Sequence, residues 1–104
     1  MNLPLRGEVW WVDLGMVGKV RPALILSVPF GDCDYALFHI VPHTTAVRNS
    51  QFEIKMEVPG LERGAFNVQD SQSVPRVSLL RRLGKLNDSQ LSLIEDAFRR
   101  WLGI

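Results

Sequence analysis

The stretch from Glu8 to Val28 reads EVWWVDLGMVGKVRPALILSV and contains two apolar runs separated by two glycines. The first run, Glu8 to Leu14, is rich in aromatic and β-branched residues, which favour strands. Gly15 and Gly18 indicate a turn after it. The second run, Pro22 to Val28, begins with a proline, whose missing N–H does least harm at the start of a strand. The sequence therefore predicts a β-hairpin close to the N-terminus.

Three further runs predict strands, namely Tyr35 to Val41, Gln51 to Val58 and Ala65 to Val74. In the run from Gln51 to Val58, apolar and polar residues alternate, which is typical of a strand with one buried and one wet face. Pro42 is expected to end the strand that precedes it, and Pro59 with Gly60 to turn the chain.

The hydrophobic period changes after Asn87 from two residues to between three and four. The apolar residues with this helical spacing are Leu91, Ile94, Phe98 and Trp101. Asn87 and Gln90 form a capping-box pattern, and Gly103 stands where a helix often ends. We therefore expect a single domain over residues 1–104, mainly β, with a small, strongly bent antiparallel sheet or partly open barrel and a C-terminal helix.

The composition excludes several classes of protein. An apolar content of 46% with balanced charge argues against disorder, and no apolar run is long enough to span a bilayer. The acidic and basic residues before position 14 argue against a signal peptide. The single Cys33 has no CxxC partner, which favours a reducing cytoplasm. A chain of 104 residues also buries a modest share of its surface, so a homodimer is expected.

The formal net charge of +1 hides an uneven distribution. Residues 76–86 contain four basic residues and no acidic one, while the rest of the chain is slightly acidic. Such a basic segment is usually a solvated face, but it can also bind a polyanion. Trp10, Trp11 and Trp101 can either pack in the core or stack on bases.

Arg21 is the first candidate functional residue. It precedes Pro22, which forces an extended backbone and places the guanidinium at the beginning of a strand. There it can bind a phosphate through two parallel hydrogen bonds. The alternative is a structural ion pair with Asp13 or Glu8.

His43, Thr44 and Thr45 form the second candidate group, because they follow Pro42 at a predicted strand end. Two hydroxyls and an imidazole can bind phosphate oxygens or transfer protons, although an ordinary polar turn is the alternative. His39 is expected to be a half-buried histidine of the sheet. The sequence contains none of the common phosphate-loop, dinucleotide or zinc motifs, so we expect neither a cofactor nor a metal ion.

Five segments in order resemble the MazF/PemK family of toxin endoribonucleases. They are Arg6–Leu14 (RGEVWWVDL), Arg21–Ser27 (RPALILS), Val41–Thr45 (VPHTT), Gln51–Ile54 (QFEI) and Leu83–Leu86 (LGKL). The resemblance implies a Src-homology-3-like barrel of the CcdB/PemK type with five strands, and usually a homodimer. It also implies a type II toxin, with a cognate antitoxin as partner, that acts as an mRNA interferase.

In that family, single-stranded mRNA is cleaved without a metal ion by attack of its own 2′-hydroxyl. The products are a 2′,3′-cyclic phosphate and a 5′-hydroxyl. The resemblance implies that Arg21 and Thr44 are catalytic, and His43 is also considered as a proton carrier. The residues expected to contact RNA are Lys19, His43, Thr45, Arg48, Gln69, Asp70 and Gln72.

Some features depart from the family pattern. The loop from Gly15 to Val20 is short and has no acidic residue before Arg21, and the "DQ" pair of the family has only partial matches around Asp70. The ending from Trp101 to Ile104 resembles the Trp-Gly-Ile tail of the gyrase poison CcdB with one residue inserted. A non-enzymatic gyrase poison of the same fold, or an inactive family member that only binds an antitoxin, is therefore the alternative function.

Overall fold

The computed structural model describes residues 3–15 and 19–104, so Gly18 of the predicted turn lies outside the described residues. These residues form an open antiparallel sheet, two short 3₁₀ turns and one α-helix. The strands are β1 (Glu8–Asp13), β2 (Val20–Ile25), β3 (Leu37–Thr44), β4 (Glu53–Lys55), β5 (Ala65–Asn67), β6 (Gln72–Pro75) and β7 (Leu79–Lys85). The 3₁₀ turns are Val68–Asp70 and Arg76–Ser78, and the helix α1 is Asp88–Leu102.

The strands are ordered β4-β5-β3-β2-β1-β7 across the sheet, and β6 also pairs with β3. The predicted N-terminal hairpin is confirmed, because β1 and β2 pair from Val9 with Leu24 to Asp13 with Val20. The predicted fold class, a small bent antiparallel sheet with a C-terminal helix, is also confirmed. Within the described residues, no helix has the length and hydropathy needed to cross a membrane.

The sheet separates two hydrophobic clusters, because successive side chains of a strand point to opposite faces. One cluster contains Val9, Leu24 and Val41 and is covered by α1, so we call this the helix face. The other contains Trp10, Val12, Ala23, Ile25 and Ile40 and lies on the opposite side, which we call the far face.

Helix α1 agrees with the prediction at both ends. The Asn87 side chain accepts a hydrogen bond from the Gln90 N–H, the Gln90 side chain accepts one from the Asn87 N–H, and Gly103 ends the helix with φ 72°. Ile94 is fully buried in the helix-face cluster, and Phe98 packs against that cluster. An ion pair between Arg6 and Glu95 ties the helix to the start of the chain.

Several strand boundaries differ from the sequence prediction, and three of the differences have a clear cause. The run from Gln51 to Val58 pairs only at β4, because its partner β5 is three residues long. The predicted strand from Ala65 to Val74 is broken, because the Asn67 side chain accepts a hydrogen bond from the Gln69 N–H and starts a 3₁₀ turn. Pro42 does not end β3, which continues to Thr44.

The change of partner strand explains why Pro42 is tolerated. On one edge, β3 pairs with β6 up to Ile40 and with β5 from His43 onward. Pro42 lies between these two ladders, so its missing N–H interrupts neither of them.

Strand β7 was missed by the sequence analysis, which treated residues 76–86 as a basic segment. Its sequence LLRRLGK lacks both β-branched residues and regular alternation. It forms a strand because the outer edge of β1 is free to pair with it, as Trp11 does with Arg81. Charged side chains on such an edge strand also discourage pairing with a further chain.

Candidate active site

Arg21 and Thr44 lie at adjacent ends of β2 and β3. The two strands pair at Ala23 with Pro42, and continuing this register by two residues places Arg21 opposite Thr44. By strand alternation, Arg21 lies on the same face as Ala23, and Thr44 on the same face as Ile40, so both belong to the far face.

The guanidinium of Arg21 has no ion-pair partner among the described side chains. The two carboxylates that offered a structural alternative are engaged elsewhere. Glu8 pairs with Arg82 at 3.3 Å, and Asp13 accepts a hydrogen bond from the Gly15 N–H at 2.9 Å. Arg21 is therefore available to bind an anion.

The hydroxyl oxygen of Thr44 accepts a hydrogen bond from the Ala46 N–H at 3.1 Å. This bond orients the side chain and leaves the hydroxyl hydrogen free to donate. A guanidinium and a hydroxyl donor thus lie at the same sheet edge, which is an arrangement that can hold phosphate oxygens.

A polar cavity of about 330 Å³ lies on the far face beside this pair. Its walls are fixed by local hydrogen bonds, since Glu53 accepts from the backbone N–H groups of Arg48 and Ser50, both at 2.9 Å. The carboxylate of Asp70 accepts no hydrogen bond from the described residues and forms no ion pair with them. The lining residues are Arg21, Pro42, Thr44, Ala46, Arg48, Ser50, Glu53, Asn67, Gln69 and Asp70.

A second cavity of about 350 Å³, which we call the helix-side cavity, also includes Arg21 and Thr44 in its wall. Trp11, Pro22 and His43 contribute to it from the helix face of the strands. The lining residues are Trp11, Val20, Arg21, Pro22, His43, Thr44, Thr45, Ala46, Gly60, Leu61, Glu62 and Leu83. A larger cavity of about 850 Å³ continues from it along residues 55–64 but does not reach Arg21 or Thr44.

His43 is next to Thr44 in the sequence, yet its side chain belongs to the helix face. The residue is only 4% exposed, its ring meets Phe66 edge to face at 5.1 Å, and its buried Nε2 has no hydrogen-bond partner among the residues that the structure describes. Burial lowers the pKa of His43, while the negative charge of Glu62 partly opposes that change. His43 is therefore held neutral at pH 7, and it does not share the face of the Thr44 hydroxyl.

Gly64 allows the chain to pass very close to this site. A Cβ at this position would lie 2.1 Å from the Thr44 carbonyl oxygen and 2.7 Å from Cε1 of His43. No side chain fits there, so the absence of a Cβ permits the 55–64 segment to pack against the end of β3.

The structure brings together some of the predicted RNA-contact residues but not all. Arg48, Gln69 and Asp70 line the polar cavity, whereas His43 and Thr45 line the helix-side cavity. Lys19 and Gln72 line neither cavity. Their roles in RNA binding remain predictions.

Sequence reasoning missed other wall residues. Glu53 and Asn67 face each other in the β4–β5 pair on the polar-cavity side, and Glu62 lines the helix-side cavity. Trp11, for which the sequence left core packing and base stacking open, also lines the helix-side cavity. The alternation from Gln51 to Val58 was a signal for Glu53, because it placed this residue on the wet face. No signal in the sequence related Glu62 to His43.

The basic segment and two of the tryptophans have structural roles. The Arg76 guanidinium lies over the Trp10 ring at 5.3 Å and donates to the Leu79 carbonyl oxygen. Trp10 is buried, and Trp101 packs against Phe52 at 5.3 Å between ring centroids. His39 is half-buried as expected, with its Nδ1 3.1 Å from the Ser73 hydroxyl.

Comparisons with known proteins agree with this architecture. A family model for PemK-like, MazF-like toxins of type II toxin-antitoxin systems matches residues 5–102. Probable endoribonuclease MazF5 of Mycobacterium tuberculosis is 34% identical over an alignment of 96 residues, which covers 88% of this chain and 86% of that protein.

Solved structures give the same result. A mycobacterial endoribonuclease in complex with its cognate antitoxin has a TM-score of 0.83 and 26% identity, and the match covers 98% of this chain and 97% of that one. MazF from Deinococcus radiodurans has a TM-score of 0.85 over 100% of both chains, with 20% identity, and shows the fold alone.

An open, bent antiparallel sheet with a C-terminal helix is therefore the fold that this chain shares with these solved structures. The chain belongs to the family of PemK-like, MazF-like toxins of type II toxin-antitoxin systems. The resemblance found in the sequence is confirmed, and the matched relatives are named as endoribonucleases.

Proposed function

We propose that this chain is a toxin endoribonuclease that cleaves single-stranded mRNA in the cytoplasm without a metal ion. The observation that carries the proposal is the position of Arg21, which has no ion pair among the described side chains and lines the same two cavities as Thr44. The endoribonuclease relatives support it.

In the proposed reaction, the 2′-hydroxyl of the substrate attacks the adjacent phosphorus, the bond to the 5′ oxygen breaks, and that oxygen takes up a proton from water. The products are a 2′,3′-cyclic phosphate and a 5′-hydroxyl. Because the nucleophile belongs to the substrate, the protein needs to supply orientation and charge rather than a nucleophilic side chain. Arg21 stabilises the negative charge that collects on the phosphoryl oxygens, and Thr44 donates a hydrogen bond to one of them.

The proton of the 2′-hydroxyl requires an acceptor on the same face. His43 does not meet this requirement, because its side chain lies on the helix face. Asp70 lines the polar cavity together with Arg21 and Thr44 and accepts no hydrogen bond from the described residues. We therefore assign proton acceptance to Asp70.

We also propose that the chain forms a homodimer and that a cognate antitoxin inhibits it by covering the rim at Arg21. A relative has been solved in complex with its antitoxin. An acidic, partly apolar antitoxin segment would neutralise Arg21 and exclude RNA.

Incubation of the purified protein with a long mixed-sequence RNA in EDTA tests the activity. Cleavage at short sequence motifs is expected, and substrates with a 2′-deoxy nucleotide at the cut should resist it. The variant Thr44→Val keeps the shape of the side chain and should lose activity, whereas Arg99→Ala, on the exposed helix surface, should retain it. Full activity of Arg21→Ala would refute the proposed mechanism.

The gyrase-poison alternative receives less support from the structure. Trp101 packs on Phe52, and Gly103 ends the helix with a positive φ, so two of the three residues of the resemblance have structural roles. Gyrase-dependent DNA breaks that disappear when residues 103–104 are deleted, without RNA cleavage, would favour it.

A further inference from the structure

Arg21 and Thr44 form a ridge between two cavities. Both residues line the polar cavity on the far face and the helix-side cavity on the other face, and the two cavities are of similar size. Their strands end at this point, so a polymer can pass over the sheet edge from one face to the other.

We propose that RNA crosses this ridge, so that the bases flanking the scissile phosphate lie in different cavities on opposite faces of the sheet. The inference rests on the proposed endoribonuclease function and adds a second base-binding site to it. The phosphate lies at the ridge, one flanking base enters the polar cavity, and the other enters the helix-side cavity.

The helix-side cavity has the walls that a base needs. Trp11 is half-buried there and offers an aromatic surface, and Pro22 and Leu83 contribute apolar walls. A base gains stability by stacking on an aromatic side chain, whichever base it is. In β7, Arg81 is paired with Trp11, so a positive charge lies beside this cavity for an adjacent phosphate.

The same cavity contains unused hydrogen-bonding capacity. The buried Nε2 of His43 has no partner in the described protein, which is costly for a buried polar atom. The exposed carboxylate of Glu62 lies at the same cavity and accepts hydrogen bonds only. The polar edge of a bound base can form hydrogen bonds with both the His43 Nε2 and the Glu62 carboxylate after a small movement of the His43 ring.

The chemistry of Glu62 restricts which base fits. A carboxylate requires a donor, and the exocyclic amino groups of adenine, cytosine and guanine supply one. Uracil has a single N–H between two carbonyl oxygens, which a carboxylate repels. We therefore assign to the helix-side cavity a preference for an amino-bearing base over uracil.

The first test uses binding without cleavage. A 2′-O-methyl oligoribonucleotide of mixed sequence lacks the attacking hydroxyl, and its addition should change tryptophan fluorescence. Most of that change should disappear in Trp11→Phe, because Trp10 is buried and Trp101, which is 43% exposed and packs on Phe52, lines neither cavity. Binding that leaves the Trp11 emission unchanged would overturn the two-cavity arrangement even if the wild-type protein cleaves RNA.

The second test compares cleavage maps. Glu62→Gln should relax the discrimination against uracil at one position on one side of the cut by about tenfold. Gln69→Ala, in the polar cavity, should alter the preference on the other side of the cut. Glu57→Gln is the matched control, because Glu57 belongs to the same 55–64 segment but does not line the helix-side cavity.

The outcomes of the two tests separate the two proposals. An unchanged map for Glu62→Gln, or the same position altered by Glu62→Gln and Gln69→Ala, would refute the second base site but not the endoribonuclease. Absence of cleavage by the wild-type protein would refute the endoribonuclease. If the fluorescence change of Trp11 on RNA addition is lost in Glu62→Gln, this loss supports a base in the helix-side cavity, because both residues line that cavity.

Discussion

Arg21 and Thr44 each lie two residues beyond the last pair of β2 and β3, which Ala23 and Pro42 form, and they line the same two cavities. Pro22 has no N–H with which to extend that ladder, and Thr44 instead pairs with Ala65 of β5. The two side chains therefore lie where three strands meet at the rim of the sheet. Their separation in the chain is large, and only the sheet register brings them together.

Replacement of Arg21 by Ala should reduce the cleavage rate by about 10²- to 10³-fold, the usual effect of removing one transition-state donor. Stability should not change, because Arg21 makes no ion pair in the described structure. Initial rates on a short fluorescent RNA and a thermal melt measure both effects. Arg21→Lys keeps the charge but loses the paired donors, so its cleavage rate should lie between those of the wild-type protein and Arg21→Ala.

Substitution of Gly64 by Ala should destabilise the fold by about 1–3 kcal/mol or more. The new Cβ would lie 2.1 Å from a backbone oxygen of Thr44, so the end of β3 must shift. Urea denaturation measures the change. Gly84→Ala is the control, since a Cβ there meets only ordinary contacts at 3.9 Å. Equal stability of the two variants would contradict the close packing at Gly64.

The N-terminal cap of α1 is expected to contribute about 1 kcal/mol. Asn87→Ala removes the bond that its side chain accepts from the Gln90 N–H at 2.8 Å, so the melting temperature should fall by about 4 °C. Ser89→Ala, which changes an exposed residue at the second position of the helix, should have little effect. A melting temperature unchanged in Asn87→Ala would show that the helix is held by packing alone.

Stability should fall as the pH decreases below about 7 because of the two histidines. Burial lowers the pKa of both His39 and His43 from the ordinary value of 6.5. As the pH falls, the unfolded chain therefore binds protons before the folded one does. The stability that the two neutral histidines contribute is fully present above pH 6.5, and it is lost as the pH falls through their lower pKa values in the folded protein. Urea denaturation between pH 7.5 and 5.5 should show this slope, and the slope should be smaller in His43→Gln. An equal slope in the variant would exclude His43 as its source.

The exposed Arg81 should contribute to RNA affinity through charge. Arg81→Ala is expected to weaken binding of a 2′-O-methyl RNA and to reduce the slope of log K against log salt concentration by about 0.7, the value for one phosphate of a single strand. Arg99→Ala removes an arginine that is already paired with Asp96 on the helix surface, and should leave the slope unchanged. Fluorescence anisotropy titrations at several salt concentrations measure both slopes.

Much of the fold was predictable because it depends on local patterns. The apolar runs before and after Gly15 predict the hairpin that the structure shows. The residues from Asn87 to Gly103 contain the N-terminal cap of the helix, its row of apolar residues at helical spacing and the glycine at which it ends. β7 was not predictable in this way. Its residues become a strand because β1 presents a free edge, which no local pattern in LLRRLGK reveals.

The sequence by itself determined the identity of the candidate residues, since Arg21 before Pro22 and Thr44 after Pro42 belong to recognisable segments. Only the tertiary structure decided which face each side chain occupies. His43 and Thr44 are neighbours in the chain, but β3 continues through Pro42, and strand alternation then sends their side chains to opposite faces. The placement of functional groups on this sheet thus depends on where a strand ends, which long-range pairing with β5 and β6 determines.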